Sequence, residues 1–301
     1  MNQKIVPHLW YDKQAAEAAQ LYSATFAEVF PGQVSKIHNV NVLENTPSGS
    51  VDAVSFDLCG QEFTSISAGP YFTFTPAISF HVKCDTKEQV DALWEKLSEG
   101  GKALMELGSY PFSERYGWAQ DKYGLSWQLM YTGSAVVGQR ITPVLMFVGD
   151  VCGKAEEAVN FYASVFKNAR VDEIARYPAG MEPDKEGTVM YAPFTLEDQE
   201  FGVMDSAREH AFTFNEAVSL IVNCEDQEEI DYFWEKLSAV PESEQCGWLK
   251  DKFGVSWQIV PVGMNEMMSS GDKEKIARVT EAFLKMKKFD IAELERAAEG
   301  K

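Results

Sequence analysis

Apolar and polar positions along this chain switch between two periods in a fixed order. Residues 4–11, "KIVPHLWY", form a short apolar run, and Pro7 marks it as a strand start or an edge strand. Residues 13–28 change to helical spacing, with Ala16, Ala19, Leu21, Tyr22 and Phe26 on one face. Three short strands are predicted near 33–43, 50–59 and 62–67, and "AISFHVKC" (77–84) predicts a fifth. "TKEQVDALWEKLSEG" (86–100) predicts a second helix, with Val90, Leu93, Trp94 and Leu97 inward and Gly100 at its stop. Strands near 102–107, 116–120 and 125–131 complete the pattern. The order is βαβββ, twice.

The same order is then written again. "IVPHLWY" (5–11) aligns with "ITPVLMF" (141–147), and "AAEAAQLYSATF" (15–26) with "KAEEAVNFYASVF" (154–166). "GQEF" (60–63) aligns with "DQEF" (198–201), "SFHVKC" (79–84) with "SLIVNC" (219–224), and "LWEKLS" (93–98) with "FWEKLS" (233–238). The last match is the longest: "YGWAQDKYGLSWQL" (116–129) with "CGWLKDKFGVSWQI" (246–259). The chain is therefore a tandem duplication of two homologous domains, 1–135 and 136–263. The segment between Leu97 and Gly117 is twice as long as that between Leu237 and Gly247, so the first copy carries one extra strand or loop.

A tail, 264–301, follows the second copy. Ile276, Val279, Ala282, Phe283 and Met286 recur at helical spacing, Asp272 is placed to cap the helix start, and a second short helix is expected after Asp290. The tail is expected to pack on the duplicated body. In "DKYG" and "DKFG", Asp121 and Asp251 suit the first position of a β-turn, and Gly124 and Gly254 the last. Each stretch thus predicts a hairpin that supplies a core tryptophan, Trp127 or Trp257.

Composition narrows the function classes. The chain has 301 residues, 45% of them hydrophobic, enough for two domains with cores of their own. A net charge of −19 opposes phosphate backbones and anionic lipid, so neither nucleic acid nor a membrane is expected as a partner. The five cysteines are scattered, with no CxxC pair, and read as reduced core thiols of a cytoplasmic protein. The first residues lack the apolar segment of a secretion signal. There is no G-x-S-x-G, P-loop or HExxH, and "GMEPDKEG" (180–187) reads as a turn-rich loop without calcium-loop spacing.

Paired βαβββ units ending in a D-x-x-G hairpin resemble the vicinal oxygen chelate superfamily, which includes the glyoxalases. "PHLWYDKQAAEAAQLYSATF", "YPFSERYGWAQDKYGLSWQL" and "CGWLKDKFGVSWQIVP" are similar to its PhnB-like branch, labelled 3-demethylubiquinone-9 3-methyltransferase. "LKMKKFDIAELERAAEG" resembles the ending of the tandem members. The resemblance implies an α+β fold: two tandem glyoxalase-like domains, each of two βαβββ units in mostly antiparallel half-barrel sheets, with a C-terminal helical extension. It also implies an internal pseudo-dimer, one chain doing what two do in single-copy relatives, or a homo-oligomer. Methyl transfer itself is not expected, because no G-x-G-x-x-G is present and the element order is not that of a parallel α/β sheet.

In a common arrangement of the superfamily, a His on the first strand, a His on the fifth and a Glu on the eighth hold a divalent metal at the base of a cup. Carried over, these positions are His8, His81 and Gln128 in copy 1, and Val144, Ile221 and Gln258 in copy 2. The first set implies a candidate site for Zn, Fe, Mn or Ni in which Gln128 departs from the carboxylate; the second is expected to hold no metal. The same residues, with Trp10 and Arg115, otherwise line a metal-free pocket for a small molecule. Three readings therefore stand: a small-molecule binding protein with no chemistry of its own, a metal-dependent lyase, isomerase or dioxygenase using His8 and His81, or a scaffold whose tail helices engage a partner. Whether the protein is an enzyme is left open. Trp118 and Trp248 are expected in the core, Glu114 beside Arg115 at the cup rim, and Asp205 facing the second cup.

Overall fold

The computed structural model describes residues 3–46, 48–268 and 270–301. The first repeat folds as β1 (Ile5–Tyr11), α1 (Ala15–Val29), β2 (Lys36–Thr46), β3 (Gly49–Leu58) and β4 (Gln61–Ser67). It continues with β5 (Ile78–Cys84), α2 (Lys87–Ser98), β6 (Lys102–Tyr110), β7 (Ser113–Gln120) and β8 (Ser126–Tyr131). The second repeat has β9 (Ile141–Phe147), α3 (Ala155–Val165), β10 (Arg170–Val171), β11 (Ala175–Arg176), β12 (Val189–Leu196) and β13 (Gln199–Asp205). Then come β14 (Val218–Cys224), α4 (Gln227–Leu237), β15 (Trp248–Lys250) and β16 (Ser256–Pro261). The tail holds α5 (Gly263–Met268), α6 (Lys273–Phe283) and α7 (Ile291–Glu299). The expected α+β order is present in both repeats. The "GMEPDKEG" stretch is a loop between β11 and β12.

The two sheets are built across the repeats. The first runs β15-β16-β14-β1-β4-β3-β2, so strands of the second repeat continue those of the first. The join is an antiparallel pairing of β1 with β14, His8 opposite Ser219 and Ile5 opposite Val222. The second sheet runs β10-β12-β13-β9-β5-β8-β7-β6 and is joined by the equivalent pairing of β5 with β9, Ser79 opposite Val144. This corrects the expectation that each repeat closes a cup of its own. The copies do pair internally, but each sheet is half of one and half of the other.

The buried apolar side chains form one continuous cluster with an aromatic centre in each repeat, between the helices and the helix-facing sides of both sheets. In the first repeat, Phe63 on β4 meets Phe80 on β5 at 5.1 Å, and Phe80 and Phe26 of α1 both pack on Trp127. In the second, Tyr162 and Phe166 pack on Trp257. The D-x-x-G turn fastens each centre. Asp121 Oδ1 accepts the backbone N–H groups of Tyr123 and Leu125, and Oδ2 accepts Tyr22 O–H at 2.6 Å and Trp127 Nε1–H at 2.9 Å. Asp251 repeats the arrangement with Phe253, Val255, Tyr162 and Trp257. Gly124 and Gly254 sit at φ +91° and +88°, a region a side chain would strain. The sequence pattern explained these aspartates as turn residues; they are also buried carboxylates that tie a hairpin of one sheet to a helix lying on the other.

The tail packs on the body as expected. Asp272 caps α6 by accepting from Glu274 and Lys275, and Asp290 caps α7 through Glu293. The helix ends at Phe283, short of Met286 in the helical spacing, because the chain then turns to pair with Cys246 and Gly247, just before β15. Cys246 N–H donates to Met286 O and Gly247 N–H to Lys287 O. In the other sheet β6 occupies the matching edge, along β7. The tail thus stands where the shorter second repeat lacks a strand. All five cysteines are free, but Cys59, Cys152 and Cys246 are only partly buried and not in the core as expected.

Removing a carboxylate that accepts four hydrogen bonds strands buried donors. Asp121→Ala or Asp251→Ala is expected to cost about 3 kcal/mol or more in urea unfolding, and Tyr22→Phe about 1 kcal/mol. A loss below about 1 kcal/mol for either aspartate would remove the anchoring role.

Candidate functional site

Strand alternation sends Ile5, Leu9 and Tyr11 of β1 toward the helices and leaves His8 and Trp10 on the opposite face. One cavity of about 740 Å³ on that face touches both β2, at Leu43, and β15, at Trp248. Those strands lie at opposite edges of the first sheet, so the sheet curls into a cup. The floor and wall are aromatic. Trp10 stands 6.0 Å from Trp248, 5.1 Å from Phe72 and 6.3 Å from Tyr71, each edge to face, and its Nε1–H donates to Gly69 O. Phe283 and Leu284 of the tail close one side.

Toward the other end of the same strands the cup turns polar. A basin of about 580 Å³ is lined by His8, His38, Asn41, Asp57, Glu62 and Thr64, among others. His38 Nε2 lies 2.8 Å from Asp57. His8 forms the boundary, its ring edge-on to Trp248 at 5.4 Å. Beside it, Gln258 donates to Ser219 Oγ at 2.9 Å.

The second cup is filled by its own side chains. Gln128 donates to Ser79 Oγ at 2.7 Å and accepts Tyr116 O–H at 2.8 Å. Phe112 and Tyr110 of the β6–β7 hairpin pack on Tyr116, and Tyr191 lies over Gly202, where a Cβ would meet its hydroxyl at 2.9 Å. His81 faces Tyr191, and Lys83 pairs with Glu200. Both ring nitrogens of His81 are buried without a partner among the described residues.

The expected ligand set is therefore divided. His81 and Gln128 are register neighbours in the second sheet, while His8 lies in the first. The cause is the pairing of β1 with β14 in place of β5. At the positions carried over, the first cup holds His8, Ile221 and Gln258, and the second holds His81, Val144 and Gln128. Each has one imidazole, one aliphatic side chain and one amide already bonded to a serine, which does not fit a divalent metal needing at least three protein donors. No group of three or more His, Cys, Asp or Glu side chains converges as a metal site among the described residues.

Other candidates are also relocated. Arg115 bonds Asp91 of α2 at 2.6 Å and Glu114 pairs with Lys87, so both face the helix layer and neither rims the cup. Gly117, two residues on, lies against the Trp94 ring on that face. Asp205 accepts the N–H groups of Gly153, Ala155 and Val189, which places it at the start of α3 and not in the second cup. Ser67 does the same for Ala15 in the first repeat. Trp248, expected in the core, is a wall of the aromatic cavity. His38 was missed because its place on β2 matches no carried-over ligand, and strict alternation with Asn39 and Asn41 would put it on the other face; an irregularity in the β2–β3 register between Ile37 and Asn39 brings it to the basin.

The chain matches the family described as 3-demethylubiquinone-9 3-methyltransferase over residues 3–130 and again over 139–260. It belongs to that family. A PhnB protein from Bacillus cereus is 41% identical over 43% of this chain and 100% of its own, with a TM-score of 0.39. A glyoxalase I mutant from Zea mays is 14% identical over 85% of this chain and 93% of its own, with a TM-score of 0.50. That likeness is one of fold, a tandem glyoxalase-like architecture. No curated protein matches the chain. Among the described residues no helix is long and apolar enough to cross a membrane.

Burial pushes His8 and His81 down to about 3, so both rings are neutral at pH 7, and Lys83 adds to the effect at His81. In the unfolded chain a histidine titrates near 6.5. As pH falls the unfolded state therefore binds the proton first. Each ring's contribution is complete above about pH 6.5 and is lost on descending toward about 3. Between pH 7 and pH 5 each should account for about 2 kcal/mol of lost stability. His81→Leu should flatten the stability–pH curve by about that amount; an unchanged slope would contradict neutral burial.

Proposed function

We propose that this protein binds a small molecule with an apolar body in the first cup, and that it does so without a metal. The observation that carries the reading is the cavity between Trp10, Trp248 and Phe72. Its volume lies in the range of small-ligand sites, and aromatic walls with a few polar groups at one end are the usual build of such a site. The metal-dependent reading loses its support once His8 and His81 face different cups. The methyl transfer in the family's description is not adopted, because no strand-to-helix turn in the chain is glycine-rich in the way that chemistry generally uses.

Titration with a neutral fluorescent probe, N-phenyl-1-naphthylamine, tests the cup directly. Trp248→Ala and Trp10→Ala are each expected to weaken binding about tenfold or more, while Trp118→Ala in the second cup leaves it unchanged. Equal loss for all three, or no binding by the wild type, would overturn the reading. Elemental analysis of the purified protein is expected to find no stoichiometric metal. A stoichiometric metal lost in both His8→Ala and His81→Ala would restore the enzyme reading.

A further inference from the structure

The aromatic cavity and the polar basin of the first cup form one trough, because Ile66 lines both. The basin carries two carboxylates, Asp57 and Glu62, with the Asn39 and Asn41 amides between the strands. Among the described residues lining it there is no lysine or arginine. Glu62 is half-buried, and burial and then the charge of Asp57 push its carboxyl up while His38 draws it down, so a further cation beside the two carboxylates would favour their charged forms. His38 is the one basic group beside Asp57.

Three residues lining this site, His8, Thr64 and Ser65, carry buried atoms that lack partners among the described residues. His8 is 8% exposed and lines the basin, and its Nδ1 has no hydrogen-bond partner among the described residues; neither has Thr64 Oγ1. Each carries a desolvation cost that a donor brought by a ligand would relieve. A neutral imidazole accepts such a donor, as do the carboxylates. Acceptors without a cationic side chain select a cationic, N–H-bearing group over an anionic one.

We propose that the basin is the head-group subsite of the first cup and takes a protonated alkylamine, so that the ligand is an amphiphilic cation. Its apolar body lies between Trp10 and Trp248, and its ammonium reaches Asp57 and Glu62 past His8. From Ile66 to Glu62 is four residues along β4, roughly 13 Å at the rise of a strand, which sets the length of the ligand. This inference rests on the reading of the first cup as the binding site.

Three naphthalene probes joined by the same short alkyl chain to a primary amine, an alcohol or a carboxylate separate the two claims. With the full-length protein at pH 7, the amine is expected to bind about tenfold or more tighter than the alcohol, and the carboxylate weakest. Asp57→Asn with Glu62→Gln should bring the amine to the affinity of the alcohol. Glu62→Gln alone, which keeps the Asp57–His38 pair, should remove part of the preference even if the double variant fails to fold. Equal affinity of amine and alcohol in the wild type would overturn the head-group subsite while leaving the cup reading intact. Failure of all three probes to bind would overturn the cup reading and the subsite with it.

Discussion

The architecture depends on two antiparallel strand pairings, β1 with β14 and β5 with β9. They are equivalent under the exchange of the repeats, and they join two domains into a molecule with one continuous core and shared cups. Every feature on the concave faces follows from them. His8 is delivered to a cup whose other half comes from the second repeat, and His81 to a cup whose other half also does. A chelating pair that looks complete in the linear order of the first repeat is dispersed, one imidazole to each side.

The two cups then diverge by packing. In the second, the extra strand β6 completes the sheet, and Tyr116 is buried beneath Tyr110 and Phe112, with Tyr191 over a glycine. In the first, no such strand is present; the tail pairs at Met286 and Lys287 with Cys246 and Gly247, just before β15, and its Phe283 lines the cavity in front of Trp248. The tail is thus part of the wall of the site, and this asymmetry gives an otherwise symmetric duplication one open cup.

Much of this was legible in the sequence. The duplication, the βαβββ order, the D-x-x-G hairpins and the caps at Asp272 and Asp290 are local patterns, and each appears where its spacing put it. The roles of Asp121 and Asp251 were half legible, as turn residues, because the partner hydroxyls of Tyr22 and Tyr162 lie about ninety residues away. Strand partnership was not legible. "SFHVKC" and "SLIVNC" share their alternation and nearly their letters, so β1 can satisfy the same pattern against β5 or β14, and no local propensity chooses between them. The site inherited that ambiguity: alternation along β1 alone puts His8 and Trp10 on one face, while Trp248 and His38 became visible only once the first sheet was assembled across the repeats.

The account stands on the cross-repeat pairing, and nuclear Overhauser contacts between backbone protons test it without altering the protein. Contacts are predicted between β1 and β14, as at Ile5 with Val222 and Leu9 with Val218, and between β5 and β9, as at Ile78 with Leu145. Contacts that instead join β1 to β5 and β9 to β14 would contradict the shared cups, reunite His8 with His81, and reopen the metal site.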